Sequence, residues 1–578
     1  METGRKSDAA LSSYVSNRLV RRTRNWWTLS VLTLHPVNEN NGEFTSSLST
    51  RRPTKKRSPV LARIVRLLAA VFMFSQAFAC IDNTGNLSEF PCLAYYSNSS
   101  SYEVTCPFDW PVDYEHLCIT LLKNERFEGN GYEIDIYGFE NWHGLFRIAP
   151  TDEGGPSSLA EAPLIHDVHM VGGTTSEVGG FIVQSGQKHF IVDSCSSSGT
   201  IRGRNSEGGG GICGHGCSGD ILISNCSSSG EIAGRDSGGI TGSELGINGD
   251  GTVNITHCHS IGDIVGQNAG GICGWSTSKN NDKGVFITHS YSTGNIVGPN
   301  SGGICGWGAG CDSGYVSITF SYSTGSIAET QAGGICGMSA ANNGGNVAID
   351  QCYSVGEISG DDSGGITGAW TPNSGGYVSI TNSYSRGDII GSTAGGICGA
   401  DTLDTVVLTN VYSAGRIQSN AGGIIGSVNV LDEVSVTMSV YSGGGSEPMV
   451  GDLTPIRSER NSNDLDDIKG RIYCYGQNKT ACWDDQTIWK AMQNDFPVLL
   501  GMPPPRFTPT ATPSNSPTHS PTPSNSVTKT STGTSFLSTT PTSTMFCSPT
   551  QSPSATPTQR EKLKQMELPV QYPRRSVV

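Results

Sequence analysis

Residues Tyr377–Gly399 read YVSITNSYSRGDIIGSTAGGICG, and nearly the same sentence recurs on both sides of them. Its close, Gly-Gly-Ile-x-Gly, returns with the isoleucine at Ile212, Ile240, Ile272, Ile304, Ile335, Ile366, Ile397 and Ile424, in steps of 28, 32, 32, 31, 31, 31 and 27 residues. Phe181, after Gly179 and Gly180, stands 31 residues before the first of these and reads as a ninth copy. A fixed period of this size marks a repeat architecture, in which no unit buries a core alone.

Within one copy the apolar residues form three short runs. Val378 and Ile380 alternate with Ser379 and Thr381; Ile389 lies in Gly-Asp-Ile-Ile-Gly; Ile397 follows the paired glycines. β-Branched residues at alternate positions, cut by Gly, Asn and Ser, predict short strands and turns rather than helix. The paired glycines predict a positive φ or a close backbone approach. Three strands per coil and one coil per repeat define an all-β, parallel β-solenoid of about nine coils of roughly 31 residues, stacked about 4.8 Å apart over some 43 Å. Right-handed coiling is expected, since parallel crossovers are almost always right-handed. A propeller blade needs four strands and about 40 residues, which fits less well.

Gly-Gly-Ile-Cys-Gly, with the Val-Ser-Ile-Thr-Asn-Ser-Tyr-Ser-x-Gly-x-Ile of Val378–Ile389, resembles the GLUG repeat of extracellular, adhesin-like proteins. That repeat carries Gly-Gly-Leu-Val-Gly and a similar Ser-Tyr-x-x-Gly segment. The resemblance spans about Gly179 to Gly444, with Ile-Cys or Ile-Thr in place of Leu-Val. It implies a secreted or surface repeat protein and transfers no catalytic residue.

The chain of 578 residues divides by composition. Residues 1–58 form a basic leader, and residues 59–80 hold a signal peptide or signal anchor. Its apolar stretch Leu67–Ala79 ends in Ala-Phe-Ala, as at a cleavage site. Residues 1–66 carry 13 Lys or Arg against four Asp or Glu, so of the net charge of −14 the remainder carries −23. That argues against nucleic acid as a partner; a membrane enters only if the apolar segment stays uncleaved. Residues 81–124 predict an N-terminal cap stapled by Cys80, Cys92, Cys106 and Cys118, with three pairings open. Residues 125–178 predict atypical first coils, residues 179–445 the repeats, and residues 446–502 a C-terminal cap in which Cys474 and Cys482 can pair. Residues 503–559 hold twelve of the 28 prolines among Ser and Thr and read as an O-glycosylated stalk. A charged tail, residues 560–578, follows. Asn86, Asn98 and Asn478 stand in N-glycosylation sequons; those at Asn225 and Asn254 fall in predicted strands.

Function has to be sought in columns of the repeat. Cysteines recur as Cys213, Cys273, Cys305, Cys336 and Cys398, and as Cys195, Cys226, Cys258 and Cys352. No CxxC pair accompanies them, so inward packing as small hydrophobes is the expectation, with Cys213/Cys217 and Cys305/Cys311 as local disulfide candidates. An acidic column, Glu231, Asp263, Glu357 and Asp388, makes calcium the one cofactor worth testing. An aromatic column, Tyr291, Tyr322, Tyr353, Tyr384, Tyr412 and Tyr441, is either a packed ladder or a platform for sugar rings. The binding reading needs these tyrosines to be accessible.

Two classes of function remain. One is a non-catalytic surface protein binding extracellular polysaccharide or a surface protein along one solenoid face. The other is a polysaccharide-active β-helix enzyme: a lyase, hydrolase or uronan epimerase. Gly214-His-Gly216 and Asp361-Asp362 resemble pieces of the polygalacturonase pattern in reversed order. Tyr137–His143 resembles the YGFDPHD segment of mannuronan C5-epimerases but lacks its aspartate and proline. The polar columns repeat nearly uniformly, whereas an enzyme needs one coil with singular, converging groups. Hence no catalytic residue is assigned.

Overall fold

The computed structural model describes residues 80–81, 92–110, 118–204, 207–249, 251–402, 404–418, 420–428, 434–437, 439–441, 474–475, 481–482, 487–492 and 495–504. The leader, the signal segment up to Ala79, Asn86, Asn478, the stalk beyond Pro504 and the charged tail lie outside them.

The described residues build a parallel β-solenoid. Its first ladder is a 13-stranded sheet made from the alternating runs, among them Val285–Thr288, Tyr315–Thr319, Asn346–Asp350, Tyr377–Thr381 and Thr405–Thr409. Each run pairs in register with the next, for example Val347 with Val378 and Ile349 with Ile380. The alternation turns Val378 and Ile380 inward, where both are fully buried. A second, 12-stranded sheet is made of two-residue strands such as Tyr322–Ser323, Tyr353–Ser354 and Tyr384–Ser385. The segments around Ile389 and Ile397 do not form strands. They join neighbouring coils through single bridges, Ile358 to Ile389 and Thr367 to Cys398. Glycine on both sides keeps these segments too short to be more, yet Ile389 N–H still bonds the Arg416 carbonyl at 2.7 Å and Ile397 N–H that of Ile424 at 2.8 Å.

The solenoid is longer at its N-terminal end than the motif count suggests. Arg126–Glu128, Leu164–His166 and Lys188–Asp193 extend the first ladder, and Glu133–Asp135 and His169–Val171 the second. Beyond them an antiparallel hairpin, Leu93–Tyr96 with Ser101–Val104, covers the end of the first sheet. Cys92 and Cys106 close it with a disulfide. Cys118 is also disulfide-bonded, and the backbone of Cys80 lies in register beside it. Aromatic rings fill this end, with Trp110 edge-on to Trp142 at 5.7 Å and Phe127 edge-on to Phe146 at 4.6 Å. Asn98 is exposed in the hairpin turn.

Several corners per coil use the left-handed conformation on single non-glycine residues. One corner stacks His257, His289, Phe320, Gln351, Asn382 and Asn410, with φ between 45° and 56°. The paired glycines solve the other problem. A Cβ on Gly396 would meet Ser413 Oγ at 2.1 Å, and one on Gly334 would meet Ser354 Oγ at 2.5 Å. Close approach, not positive φ, therefore sets Gly-Gly, and the serine of each Tyr-Ser strand points inward onto it.

Candidate functional site

Tyrosines of the Tyr-Ser strands stack in register. Ring centroids are 4.8 Å apart for Tyr291–Tyr322 and for Tyr322–Tyr353, 5.0 Å for Tyr353–Tyr384 and 4.8 Å for Tyr384–Tyr412, with planes within 7° of parallel. His259 continues the stack, 4.8 Å from Tyr291. Tyr441 does not belong to it. Val440 pairs with Tyr412, and Tyr441 pairs with Ser413 one position later, so Tyr441 turns inward and joins the core. A spacing of 29 residues from Tyr412, after a copy of 28, slips the register by one residue and reverses the face.

The column is also not uniformly accessible. Tyr353, Tyr384 and Tyr412 are at most 1% exposed, because a C-terminal hairpin lies over them. That hairpin pairs Trp489–Met492 with Asp495–Leu499. Trp489 is buried 6.2 Å from Tyr384 and 5.9 Å from Tyr412. Tyr412 Oη donates to the Pro497 carbonyl at 2.7 Å, and Tyr353 Oη to the Pro503 carbonyl at 2.9 Å. Arg386 sits at the centre, its side chain 3% exposed and paired with Asp495 at 3.3 Å. It donates to Tyr412 Oη at 3.1 Å and to the Phe496 carbonyl at 2.9 Å. Burial opposes its charge, but Tyr412, Tyr384 and Asp495 outweigh that and hold the guanidinium cationic. Burial pushes the hydroxyls of Tyr353, Tyr384 and Tyr412 above the ordinary tyrosine range, so all three stay protonated; Tyr353 and Tyr412 donate to the carbonyls above, whereas the Tyr384 hydroxyl is buried without a partner.

Beyond the hairpin the same face is open over three coils. His257, His289 and Phe320 form a second stack at the corner, at 4.8 and 4.9 Å. Beside them lie His259, Tyr291 and Tyr322, and the same coils also expose Ile261 at 52%, Val265 at 40% and Val297 at 37%. This patch is singular. Where the neighbouring repeats have Asn, Gln or Ser at the corner and Ser or Tyr in the ladder, these coils carry His257 and His259, then His289, then Phe320; the ladder column holds one more histidine, His169, in the N-terminal coils. The histidines went unassigned in the sequence, although their departure from Thr-Asn-Ser-Tyr-Ser was the signal. Burial holds His259 below the usual histidine range, and burial with the neighbouring His257 does so for His289. Both are neutral at pH 7.

The stacking also changes what the ladder can offer. Each ring turns its faces to its neighbours, so only ring edges and hydroxyls point outward. Sugar rings cannot lie on these faces; groups that accept from a row of phenols can bind, as the hairpin carbonyls do.

The other candidates resolve as follows. Cys213, Cys217, Cys305 and Cys311 are buried thiols, not local disulfides. Cys217 Sγ donates to the Gln184 carbonyl, and Cys311 packs against Trp307 and Met338 while Cys305 stacks in the main core. In the second cysteine column Cys226, Cys258 and Cys352 bond the carbonyl two residues back, at 3.1, 3.4 and 3.3 Å. Ser290, Ser321 and Ser383 make the same bond at 2.9, 2.9 and 2.6 Å, which explains why the column accepts either residue. Cys474 and Cys482 stand opposite one another in a two-stranded antiparallel ladder. In the acidic column, Asp263 accepts the Asn295 N–H at 2.8 Å and Asp388 the Arg416 N–H at 2.9 Å, so these carboxylates tie coil to coil. Among the described residues no three metal-ligating side chains converge. His215 bonds Ser243 at 2.8 Å, several coils from Asp361 and Asp362, so the polygalacturonase-like fragments do not meet.

The fold and this face define a parallel β-solenoid with a partly covered aromatic ladder. No family model, curated protein or solved structure matches the chain.

Proposed function

We propose that the chain is a non-catalytic, secreted or cell-surface solenoid, adhesin-like and of GLUG-repeat type, that binds an extended extracellular polypeptide on its open aromatic patch. The observation that carries this reading is the C-terminal hairpin and the residues just after it, whose backbone carbonyls are held by Tyr353, Tyr412 and Arg386 on the same ladder. An edge-on ladder grips acceptors rather than sugar faces, and the patch next to the hairpin adds apolar side chains to that grip. Repetition every 4.8 Å or so suits a linear polymer, in which weak contacts add through avidity.

The experiment is binding of the full chain, and of its Tyr291→Ala variant, to arrays of extended peptides and of wall glycans. Peptide binding lost in the variant is expected. Glycan binding that the substitution leaves unchanged would move the site and the ligand class elsewhere, and depolymerisation or epimerisation of a uronan would make the protein an enzyme.

A further inference from the structure

Towards the N-terminal end of the same ladder, one place departs from the repeat in a different way. His169 pairs in register with Ser196 of the next coil, and its ring lies between two oxygens. His169 Nδ1 stands 2.7 Å from Ser196 Oγ, and His169 Nε2 stands 3.1 Å from Asp167 Oδ1. All three side chains are half-buried, so each reaches solvent. Asp167 holds the left-handed corner at φ 57°. In every later coil, from Ser194 to Asn410, that corner carries Ser, Asn, His, Phe or Gln instead. His259 gives the comparison. It stands beside Ser227 in the same ladder, but its corner residue is His257 and its ring stacks on Tyr291.

We propose that Ser196 is an activated nucleophile that accepts a short acyl group from an activated ester, with His169 as its general base and Asp167 as the residue that positions the base. The Asp167 carboxylate accepts the Nε2–H of His169, which leaves the Nδ1 lone pair for the Ser196 hydroxyl proton. Both distances lie within the roughly 2.6–3.2 Å that a nucleophile–base pair and its orienting group need. Ser196 Oγ bonds the carbonyl carbon of the ester while its proton passes to His169 Nδ1. The carbon–oxygen bond to the alcohol then breaks, the electron pair leaves with the alcohol oxygen, and Nδ1 returns the proton to it. The products are O-acyl Ser196 and the free alcohol. Ser227 lies beside Ser196 in register and Ser198 is exposed two residues on, so the surroundings are small and polar and suit a short acyl chain. The N–H groups of Ser196 and Ser198 already donate to the Val168 and Met170 carbonyls and are not free to hold an oxyanion. The ester therefore has to be activated, and the acylated serine persists. The chain is consumed as an acceptor rather than turned over, which goes beyond the binding reading and involves none of the aromatic patch.

The test is incubation of the full chain with p-nitrophenyl acetate, following nitrophenol release and locating the acetyl group by mass spectrometry. About one acetyl per chain, on Ser196, is expected, and none there in Ser196→Ala. His169→Ala is expected to slow acylation by about 100-fold, with part of the rate restored by added imidazole. Asp167→Asn keeps a residue that the left-handed corner tolerates, so the fold is retained. Its expected effects are a slower acylation and a proton moved from Nε2 to Nδ1 of His169, read from nitrogen-15 shifts. Acetyl groups spread equally over Ser196, Ser198 and Ser227 would overturn the proposal. So would a Ser196 rate that His169→Ala leaves unchanged at an unchanged melting temperature. Ser196-dependent release well past one equivalent would support the nucleophile and overturn the non-catalytic reading instead, and failure of peptide binding on arrays leaves all of these outcomes intact.

Discussion

Ser323 shows how tightly one residue is held. Its hydroxyl is buried without a hydrogen-bond partner, as are those of Ser260, Ser292, Ser354, Ser385 and Ser413 in the same column. A Cβ on the facing Gly303 would come within 2.5 Å of it. Size, not polarity, selects serine there. Ser323→Ala is therefore expected to be neutral or stabilising by up to about 1 kcal/mol, since a buried, unpaired hydroxyl is costly. Ser323→Val is expected to destabilise by about 1–3 kcal/mol through overpacking. Chemical denaturation of the two variants separates these outcomes. The histidines give a second test. His259 and His289 have folded values below the unfolded value of about 6.5. The unfolded chain thus takes up protons first, so their contribution to stability is complete above about pH 6.5 and declines as pH falls towards the folded values. Melting temperature is expected to drop on acidification in this window. The drop should be smaller in a His259→Ser, His289→Asn variant, which restores residues the repeat uses elsewhere and keeps a left-handed corner that Asn tolerates.

At the scale of the element, the C-terminal hairpin is held by few but central contacts. Two short antiparallel strands are marginal alone, so it depends on the ladder beneath. Tyr412→Phe removes the bond to Pro497 and one partner of Arg386, and is expected to weaken docking by about 1–3 kcal/mol. Trp489→Ala removes the anchor between two rings and is expected to release the hairpin outright. Limited proteolysis reports both. Cleavage between residues 487 and 504 should accelerate while the coils stay intact. Coils that melt together with the hairpin would show instead that it is part of their core.

At the scale of the molecule, every coil lends its backbone groups and isoleucines to the two beside it. Such a stack behaves as a chain of nearest-neighbour couplings. Ile335 is fully buried between Ile304 and Ile366 and bonded to both through the backbone. Ile335→Asp places an unpaired carboxylate there, at a cost of several kcal/mol. Hydrogen exchange is expected to show loss of protection spreading into the neighbouring coils. A defect confined to one repeat would mean that the coils are separate modules.

The repeat, the inward isoleucines and the solenoid could be read directly from residues, because period-two alternation and a fixed spacing are local signals that stacking simply multiplies. The interchangeability of Cys and Ser in one column was visible too, though its cause, a shared bond to the carbonyl two residues back, was not. Three things lay beyond the linear text. Tyr441 looked like the last rung, but a one-residue slip put it in the core. Cys305 and Cys311 looked like a pair, but the turn between them sends one into the main core and the other to Trp307. Tyr353, Tyr384 and Tyr412 occupy the same repeat position as Tyr291, yet a hairpin far down the chain covers them and leaves Tyr291 open. Equivalent positions of the repeat share local preferences, and what buries one tyrosine and leaves the next open is the long-range contact that lands on it.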